Sequence, residues 1–412
     1  MYLEFDGIER PDVDFCYLSS GAISRPDPTL RTTKVRKVNG MKTKTLIGRL
    51  AVAWATVGLF FFFGDRWLTG INSAVQSALL FVWLFAVILW CAFGVVEEAE
   101  HLAELLHEPL GTLILTLAIV IIEVALISAM ALGGKSSPTL GRDTMFAVLM
   151  IILNAGVGLS LLLGGLRHHE QAYNLQGATA YLGIIMPLSV IALVLPNFTQ
   201  TGPSGGLSTM QAVFFSLFTV LLYGIFLAIQ TGRHRDFFVE PGSNKEAVVA
   251  GPEKPHAGSS PGGEIGRHTV LLVISVLPIV LLAKQLAKLI DHWLAVLGAP
   301  AALGGLLIAL IVFTPEAMTA LRAALENQLQ RSINLSLGAA ASTIGLTVPA
   351  ILGIGLATGN PVILGLDPSG MTLLILTLLL STLTFSGPRT TVLEGSVHLI
   401  LFFVYIVLIF SP

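Results

Sequence analysis

The sequence contains eleven apolar runs, most of them close to twenty residues long and bounded by glycine, proline or charged residues. An α-helix rises about 1.5 Å per residue, so a run of this length crosses a hydrocarbon layer about 30 Å thick. Charged residues make up only 12% of the chain, which is about half the share in an ordinary soluble domain. The runs therefore predict an all-α polytopic membrane protein of about eleven transmembrane helices and exclude a single water-soluble domain. They lie at residues 46–63, 73–96, 110–132, 143–165, 177–197, 209–230, 268–290, 301–325, 332–357, 371–386 and 391–411.

Polar segments divide the predicted chain into five parts. The segment after the sixth run is rich in Gly, Pro, Ser and charge, which is typical of a flexible linker. The parts are a cytoplasmic disordered tail or an extension before a start at Met41 (1–45), an extra helix (46–72), a first five-helix half (73–230), a cytoplasmic linker (231–267) and a second five-helix half (268–412).

The distribution of basic residues predicts the orientation of the chain. With alternate sides assigned to successive loops, 17 of the 23 Lys and Arg residues fall on one side and three on the other. Basic residues collect on cytoplasmic loops, and an odd number of crossings places the two termini on opposite sides. We therefore expect a multi-pass membrane protein with its N-terminus in the cytoplasm and its C-terminus outside.

Two acidic residues occupy equivalent positions of an internal repeat. Shifting the chain by 193 residues places Leu110-Gly111 over Leu303-Gly304, and Glu123 then falls on Glu316. The helices concerned are the third and the eighth, so they cross the membrane in opposite directions and the two halves form an inverted repeat. Inverted repeats are typical of secondary transporters.

Glu123 and Glu316 are each expected about 20 Å along a helix, near the middle of the membrane. A charged carboxylate at this depth costs about 3 kcal/mol or more, so it needs a proton, a cation or water. If the repeat brings the two side chains together, the empty, doubly ionised pair is unfavourable and the site is occupied by protons or by a cation. This pattern favours an obligatory exchanger, and the alternative is that each glutamate is neutral and caps a neighbouring helix.

Several motifs resemble the α-repeats of the calcium/cation antiporter superfamily. Residues 97–104 and 108–113, which run into 121–124, are similar to the first α-repeat, and residues 315–325 and 330–338 are similar to the second. Residues 164–171 and 386–398 fit the same group. The resemblance is strongest to the proton-coupled exchanger family, and within it to bacterial ChaA-type sodium/calcium–proton antiporters.

The resemblance implies roles for particular residues. It implies that Glu123 and Glu316 bind the transported cation, Ca²⁺ or Na⁺, and the protons, and that Asn154, Ser342 and Thr343 on the following helices assist them. It also implies that the second and seventh helices slide during transport. Many family members carry Gly-Asn shortly before each glutamate, whereas this chain has Ile119-Val120 and Val312-Phe313. Because Ca²⁺ takes six to eight oxygen ligands, this poorer oxygen set favours Na⁺ or K⁺.

Other polar residues near the helix ends have two interpretations. An acidic cluster that includes Glu98 and His101 either attracts cations and relays protons or forms a solvated helix face. Asn154 is either a site residue or an interhelical hydrogen bond only, and His398 is expected to bond Glu394 one turn away on its own helix.

The remaining features narrow the function class. His101 and Glu104 lack the His-Glu-x-x-His spacing of a zinc hydrolase, so we predict no enzyme activity. No phosphate-binding glycine loop is present, which argues against a nucleotide or other organic cofactor. The net charge of −2 argues against nucleic acid as a partner. The predicted partners are the lipid bilayer, cations and protons; the oligomeric state stays open, and the rival functions are a cation channel or a structural membrane protein.

Overall fold

The computed structural model describes residues 28–69, 74–106, 110–131, 138–199, 205–240 and 261–411. The described residues fall into two units, one that ends at Ile47 and one that begins at Gly48, and the helix packing described below concerns the second. Eleven helices follow one another in the described residues. They are α1 Pro28–Thr69, α2 Ala74–Leu106, α3 Leu110–Ala131, α4 Leu140–His168, α5 Leu175–Leu193, α6 Thr209–Arg233, α7 Pro261–Leu297, α8 Ala302–Leu325, α9 Leu329–Thr358, α10 Pro368–Thr384 and α11 Val392–Phe410.

The structure confirms the predicted all-α membrane class. In the described part of the chain, nine helices are long and apolar enough to cross a membrane. Two further apolar helices are shorter, namely residues Leu113–Ala129 of α3 and the whole of α10. Large apolar side chains such as Phe61, Phe62 and Leu383 are exposed on the outer faces of the helices. This is the surface that a protein presents to lipid rather than to water.

Several predicted boundaries were wrong because an apolar run marks the membrane part of a helix and not its ends. The first helix begins at Pro28, within the segment predicted to be a disordered tail, and residues 1–27 lie outside the described part. The predicted linker is partly ordered, since α6 continues to Arg233 and α7 begins at Pro261. Between them a 3₁₀ turn, Arg235–Phe238, buries Phe238 against the ring of Tyr181.

Side-chain caps fix the beginnings of four helices. Asn174 accepts the backbone N–H of Gln176 at the start of α5, and Asp367 accepts that of Gly370 at the start of α10. Ser208 with Gln211 and Thr391 with Glu394 form capping boxes at α6 and α11. Each cap provides an acceptor for a backbone N–H that has no partner within the helix.

Two helices contain a wider turn near their middle. In α4 the segment Ile151–Gly156 is π-helical, and in α9 the segment Thr343–Thr347 is π-helical. Such segments are rare and often lie at functional sites because they change the direction of side chains within an otherwise regular helix. Both segments are buried.

Contacts between the two halves occur in exchanged pairs. Helix α9 contacts α3, α5 and α6 of the first half. Its counterpart α4 contacts the corresponding helices of the second half, α8, α10 and α11. Helix α2 packs along α7, its counterpart. This is the contact pattern expected of two related halves, and it supports the inverted repeat, which stays a prediction.

Backbone bonds join the halves through two pairs of loops. The strands β1 Gln171–Ala172 and β2 Arg389–Thr390 pair antiparallel and connect the α4–α5 loop to the α10–α11 loop. A second bridge pairs Gly206 with Ile363 and connects the α5–α6 loop to the α9–α10 loop.

Candidate functional site

Glu123 lies in the middle of α3 and is fully buried. Its Oε2 accepts hydrogen bonds from the hydroxyls of Thr347, at 2.8 Å, and Thr343, at 3.2 Å, both in the π-helical segment of α9. Within the described residues, its Oε1 is buried and has no hydrogen-bond partner. One carboxylate oxygen is therefore held by two donors, while the other has no partner in the part of the chain that the structure describes.

Glu316 lies in α8 directly after Pro315 and is 7% exposed. Proline has no amide N–H, so the backbone carbonyl of Ile311 loses its usual helical donor. The Glu316 side chain borders a cavity of about 90 Å³ between α3, α5, α6, α8 and α9. Its polar lining residues are Thr116, Tyr181, Tyr223, Gln230, Asn334 and Ser342. The surroundings of Glu316 therefore differ from those of Glu123, with a polar cavity in place of a pair of hydroxyl donors.

The electrostatic surroundings of Glu316 are acidic. The charges that act most on Glu316 are those of Glu123 and Glu100, which are both negative. Among the residues that the structure describes, neither Glu123 nor Glu316 forms an ion pair. Nor do the described residues contain a group of three or more His, Cys, Asp and Glu side chains that could hold a metal ion. The polar atoms around the two glutamates are therefore mainly hydroxyl and amide groups rather than further charged side chains.

The three predicted supporting residues have different positions. Thr343 contacts Glu123 as described, and Ser342 borders the Glu316 cavity while its hydroxyl donates to the Ala339 carbonyl of its own helix. Asn154 is fully buried but bonds neither glutamate, because its Nδ2 donates to Thr377 of α10 at 2.9 Å. Sequence reasoning missed Thr347, although its spacing of four residues from Thr343 places both hydroxyls on one helix face.

Glu98 and His101 lie near the end of α2, against α7. Glu98 is buried, and its Oε2 lies 2.7 Å from Nδ1 of His268 on α7. The rings of His101 and His268 are 5.6 Å apart, and His101 Nδ1 lies 3.8 Å from Glu104. Glu98 is therefore part of a helix–helix contact rather than a free surface carboxylate. His268 was not predicted, because its role depends on the packing of two helices far apart in sequence.

The expected bond between His398 and Glu394 was wrong. The two ring nitrogens of His398 face Asn154 and Thr384 instead, on α4 and α10. Glu394 accepts from the backbone N–H and the hydroxyl of Thr391 and so caps its own helix. Because the first turn of α11 needs a cap, the carboxylate of Glu394 is used there and the imidazole bonds across the helix interface.

Solved structures with the same arrangement of helices define the class of protein. The structure of native YfkE superposes with a TM-score of 0.66 at 16% sequence identity, covering 88% of this chain and 100% of that chain. The crystal structure of the H⁺/Ca²⁺ exchanger CAX gives a TM-score of 0.63 at 15% identity, covering 89% of this chain and 88% of that chain. The chain therefore has the fold of these membrane proteins.

Sequence comparison then gives the family. Residues 76–232 and 267–411 match the family described as "Sodium/calcium exchanger protein". The sodium-potassium/proton antiporter ChaA of Escherichia coli (strain K12) is 39% identical over 324 residues, covering 79% of this chain and 87% of that protein. The chain belongs to the sodium/calcium exchanger protein family.

Proposed function

We propose that this protein is a cation–proton antiporter whose transported ions bind at Glu123 and Glu316. The observation that carries the proposal is the Glu123 carboxylate, which is fully buried in an acidic site while its Oε1 has no partner among the described residues. A bound cation would supply the missing partner. Protonation is the alternative way to remove the negative charge, and a site that accepts either ion supports exchange.

The oxygen set at the site favours monovalent cations over Ca²⁺. Two carboxylates and the hydroxyls of Thr343 and Thr347 provide at most six oxygens, the lower limit of the six to eight that Ca²⁺ takes. Similarity to the ChaA antiporter, whose name gives sodium and potassium, supports the same choice. We propose Na⁺ and K⁺ as the main substrates, with Ca²⁺ a weaker one.

The direction of exchange follows from the proton gradient across the bacterial plasma membrane, in which we propose the protein lies with its N-terminus in the cytoplasm. With protons more abundant outside than inside, inward movement of protons drives cytoplasmic cations outward. The N-terminus and the α6–α7 connection would then lie on the cytoplasmic side, since they carry most of the basic residues. The acidic end of α2 would lie on the same side.

Cation-induced proton movement in everted membrane vesicles tests the proposal. The vesicles are acidified by respiration and report their internal pH with a quenched dye. Addition of Na⁺ or K⁺ should restore fluorescence for the unmodified protein, and Glu123→Gln and Glu316→Gln should each abolish the response. Glu326→Gln is the matched control, because Glu326 is an exposed acid at the end of the helix that carries Glu316, and it should retain exchange.

Reconstituted vesicles separate this proposal from the rival functions. An antiporter shows saturable cation flux with a fixed proton counterflow, whereas a channel conducts cations without stoichiometric proton movement and a structural protein moves neither. Exchange that persists in both glutamine variants, at normal membrane levels of the protein, would overturn the assigned site.

A further inference from the structure

His398 joins three helices, of which α4 packs against α8, the helix that carries Glu316. It lies on α11 and is fully buried, with Nδ1 3.1 Å from Oδ1 of Asn154 on α4 and Nε2 3.0 Å from the hydroxyl of Thr384 on α10. Asn154 in turn donates its Nδ2 to Thr377 of α10 at 2.9 Å. All four side chains are at most 4% exposed. The nitrogen and the oxygen of the Asn154 amide are thus hydrogen-bonded to side chains of α10 and α11 respectively.

The donors and acceptors of this network have definite roles. Because the amide nitrogen of Asn154 donates to Thr377, its Oδ1 is the atom that faces His398 and must accept from Nδ1–H. In the neutral ring the other nitrogen is an acceptor, so Nε2 accepts from the Thr384 hydroxyl. In this arrangement, His398 occupies the amide oxygen of Asn154, which could otherwise bind a cation.

Asn154 occupies in α4 the position that Thr343 occupies in α9. Each lies 14 residues after the first residue of its helix, Leu140 or Leu329, and each is in a π-helical segment. The two helices also share Arg142 with Arg331 and Gly156 with Gly345. Thr343 donates to Glu123, so the repeat would direct Asn154 toward the other glutamate, Glu316. The hydrogen bonds of Asn154 go instead to Thr377 and His398.

We propose that His398 is a positioning residue that holds the Asn154 amide oxygen away from the cation site and thereby lowers its cation affinity. The inference rests on the proposed function, because it concerns the same site. Binding of a cation at Glu316 would require Asn154 to exchange its bond with His398 for one to the ion. The strength of that bond then sets part of the apparent KM, while the later steps of transport are unaffected.

Substitution of His398 separates this role from a general packing role. His398→Leu keeps an apolar side chain but removes the donor to Asn154, and we expect the apparent KM for Na⁺ to fall about three- to tenfold, as for loss of one buried hydrogen bond. His398→Asn retains an N–H near the position of Nδ1 and should keep the KM of the unmodified protein. Ser396→Ala, which removes a hydroxyl bonded only within α11, is the control for substitutions in this helix.

The measurement is the Na⁺ dependence of proton release from proteoliposomes that contain the purified protein. A KM that does not fall in His398→Leu, or that changes equally in His398→Asn, would overturn the proposal. If His398→Leu does not fold, His398→Phe provides the second test, since it keeps a ring but removes the donor to Asn154 and should lower KM as well. An unchanged or higher KM in that variant would likewise overturn the proposal.

A double-mutant cycle identifies Asn154 as the residue through which His398 acts. In an Asn154→Ala background the substitution His398→Leu should no longer change KM, because the held oxygen is absent. A change that persists in that background would overturn the proposal. Failure of the proposed function gives a different result, namely no cation–proton exchange by the unmodified protein in the same proteoliposomes.

Discussion

The carboxylate of Glu123 shows how single residues set the chemistry of the site. Its Oε2 is fixed by Thr347 and Thr343, whereas its Oε1 lacks a partner among the described residues. Hydroxyls are suitable neighbours for such a group because they can donate to the ionised form and can turn to accept when the carboxyl is protonated. The same two threonines therefore suit both states of an exchange cycle.

Thr347→Val removes the shorter of the two hydrogen bonds to Glu123 without changing the size of the side chain. A hydrogen bond to a charged group contributes about 1.5–3 kcal/mol, so we expect the apparent KM for the cation to rise about tenfold or more. Measurement of the cation dependence of proton release in proteoliposomes checks this expectation. Thr347→Ser keeps the hydroxyl and is the matched variant. Equal KM values in the two variants would show that the hydroxyl is not needed.

At the scale of single residues, some members of the candidate site can be predicted from the sequence and others cannot. Glu123 and Glu316 are found because a carboxylate within an apolar run is costly, and Thr343 is found by resemblance. His268 and the partners of His398 are not, because their contacts join α2 to α7 and α11 to α4 and α10. A helix periodicity shows which residues share a face, but it does not show which other helix packs there.

At the scale of the helices, the close packing of α8 against α4 depends on a glycine. Gly305 of α8 lies against the backbone of α4, where an added Cβ would be 2.7 Å from the amide nitrogen of Thr144. Backbone atoms cannot move aside as a flexible side chain does. The glycine therefore allows α8, which carries Glu316, to contact α4 directly.

Gly305→Ala should destabilise the protein. Overpacking at such a contact typically costs about 1–3 kcal/mol, so we expect a lower melting temperature for the detergent-solubilised protein, followed by intrinsic fluorescence. Gly353→Ala in α9 is the matched control, because nothing lies within 4 Å of the added Cβ. Alanine also favours a helix over glycine, so the control should melt at the same or a higher temperature. A control that melts below Gly305→Ala would contradict the explanation.

The positions of the helices could be predicted from the sequence better than their lengths. Each apolar run corresponds to a helix in the structure, because hydrocarbon leaves a spanning backbone few alternatives. Helix α1 begins at Pro28 and α7 at Pro261, well before their apolar runs, and proline is favoured in the first turn of a helix. Polar residues continue these helices outside the apolar layer, where hydropathy gives no signal.

At the scale of the whole molecule, the predicted orientation is open to a direct test. Alkaline phosphatase is active only when it is exported, whereas green fluorescent protein is fluorescent in the cytoplasm. A phosphatase fused after Phe410 should be active, and a phosphatase fused after Arg235 should be inactive, since the first position is predicted outside and the second inside. Green fluorescent protein fused at the same two positions should give the opposite pattern. An active phosphatase at Arg235 would overturn the predicted orientation.

The loop pairs at Gln171–Thr390 and Gly206–Ile363 have a consequence for how such a protein could work. They connect helices α4 to α6 with α9 to α11, while the contact between the Glu98 carboxylate and the His268 ring connects α2 with α7. The resemblance assigns the sliding motion to α2 and α7. The paired loops join α4–α6 to α9–α11, which suits these six helices to a stationary role. We therefore expect the rate of turnover and the choice of ion to be governed by different groups of residues. The transport rate could then change during evolution, in response to a new temperature or lipid environment, without a change in the transported ion.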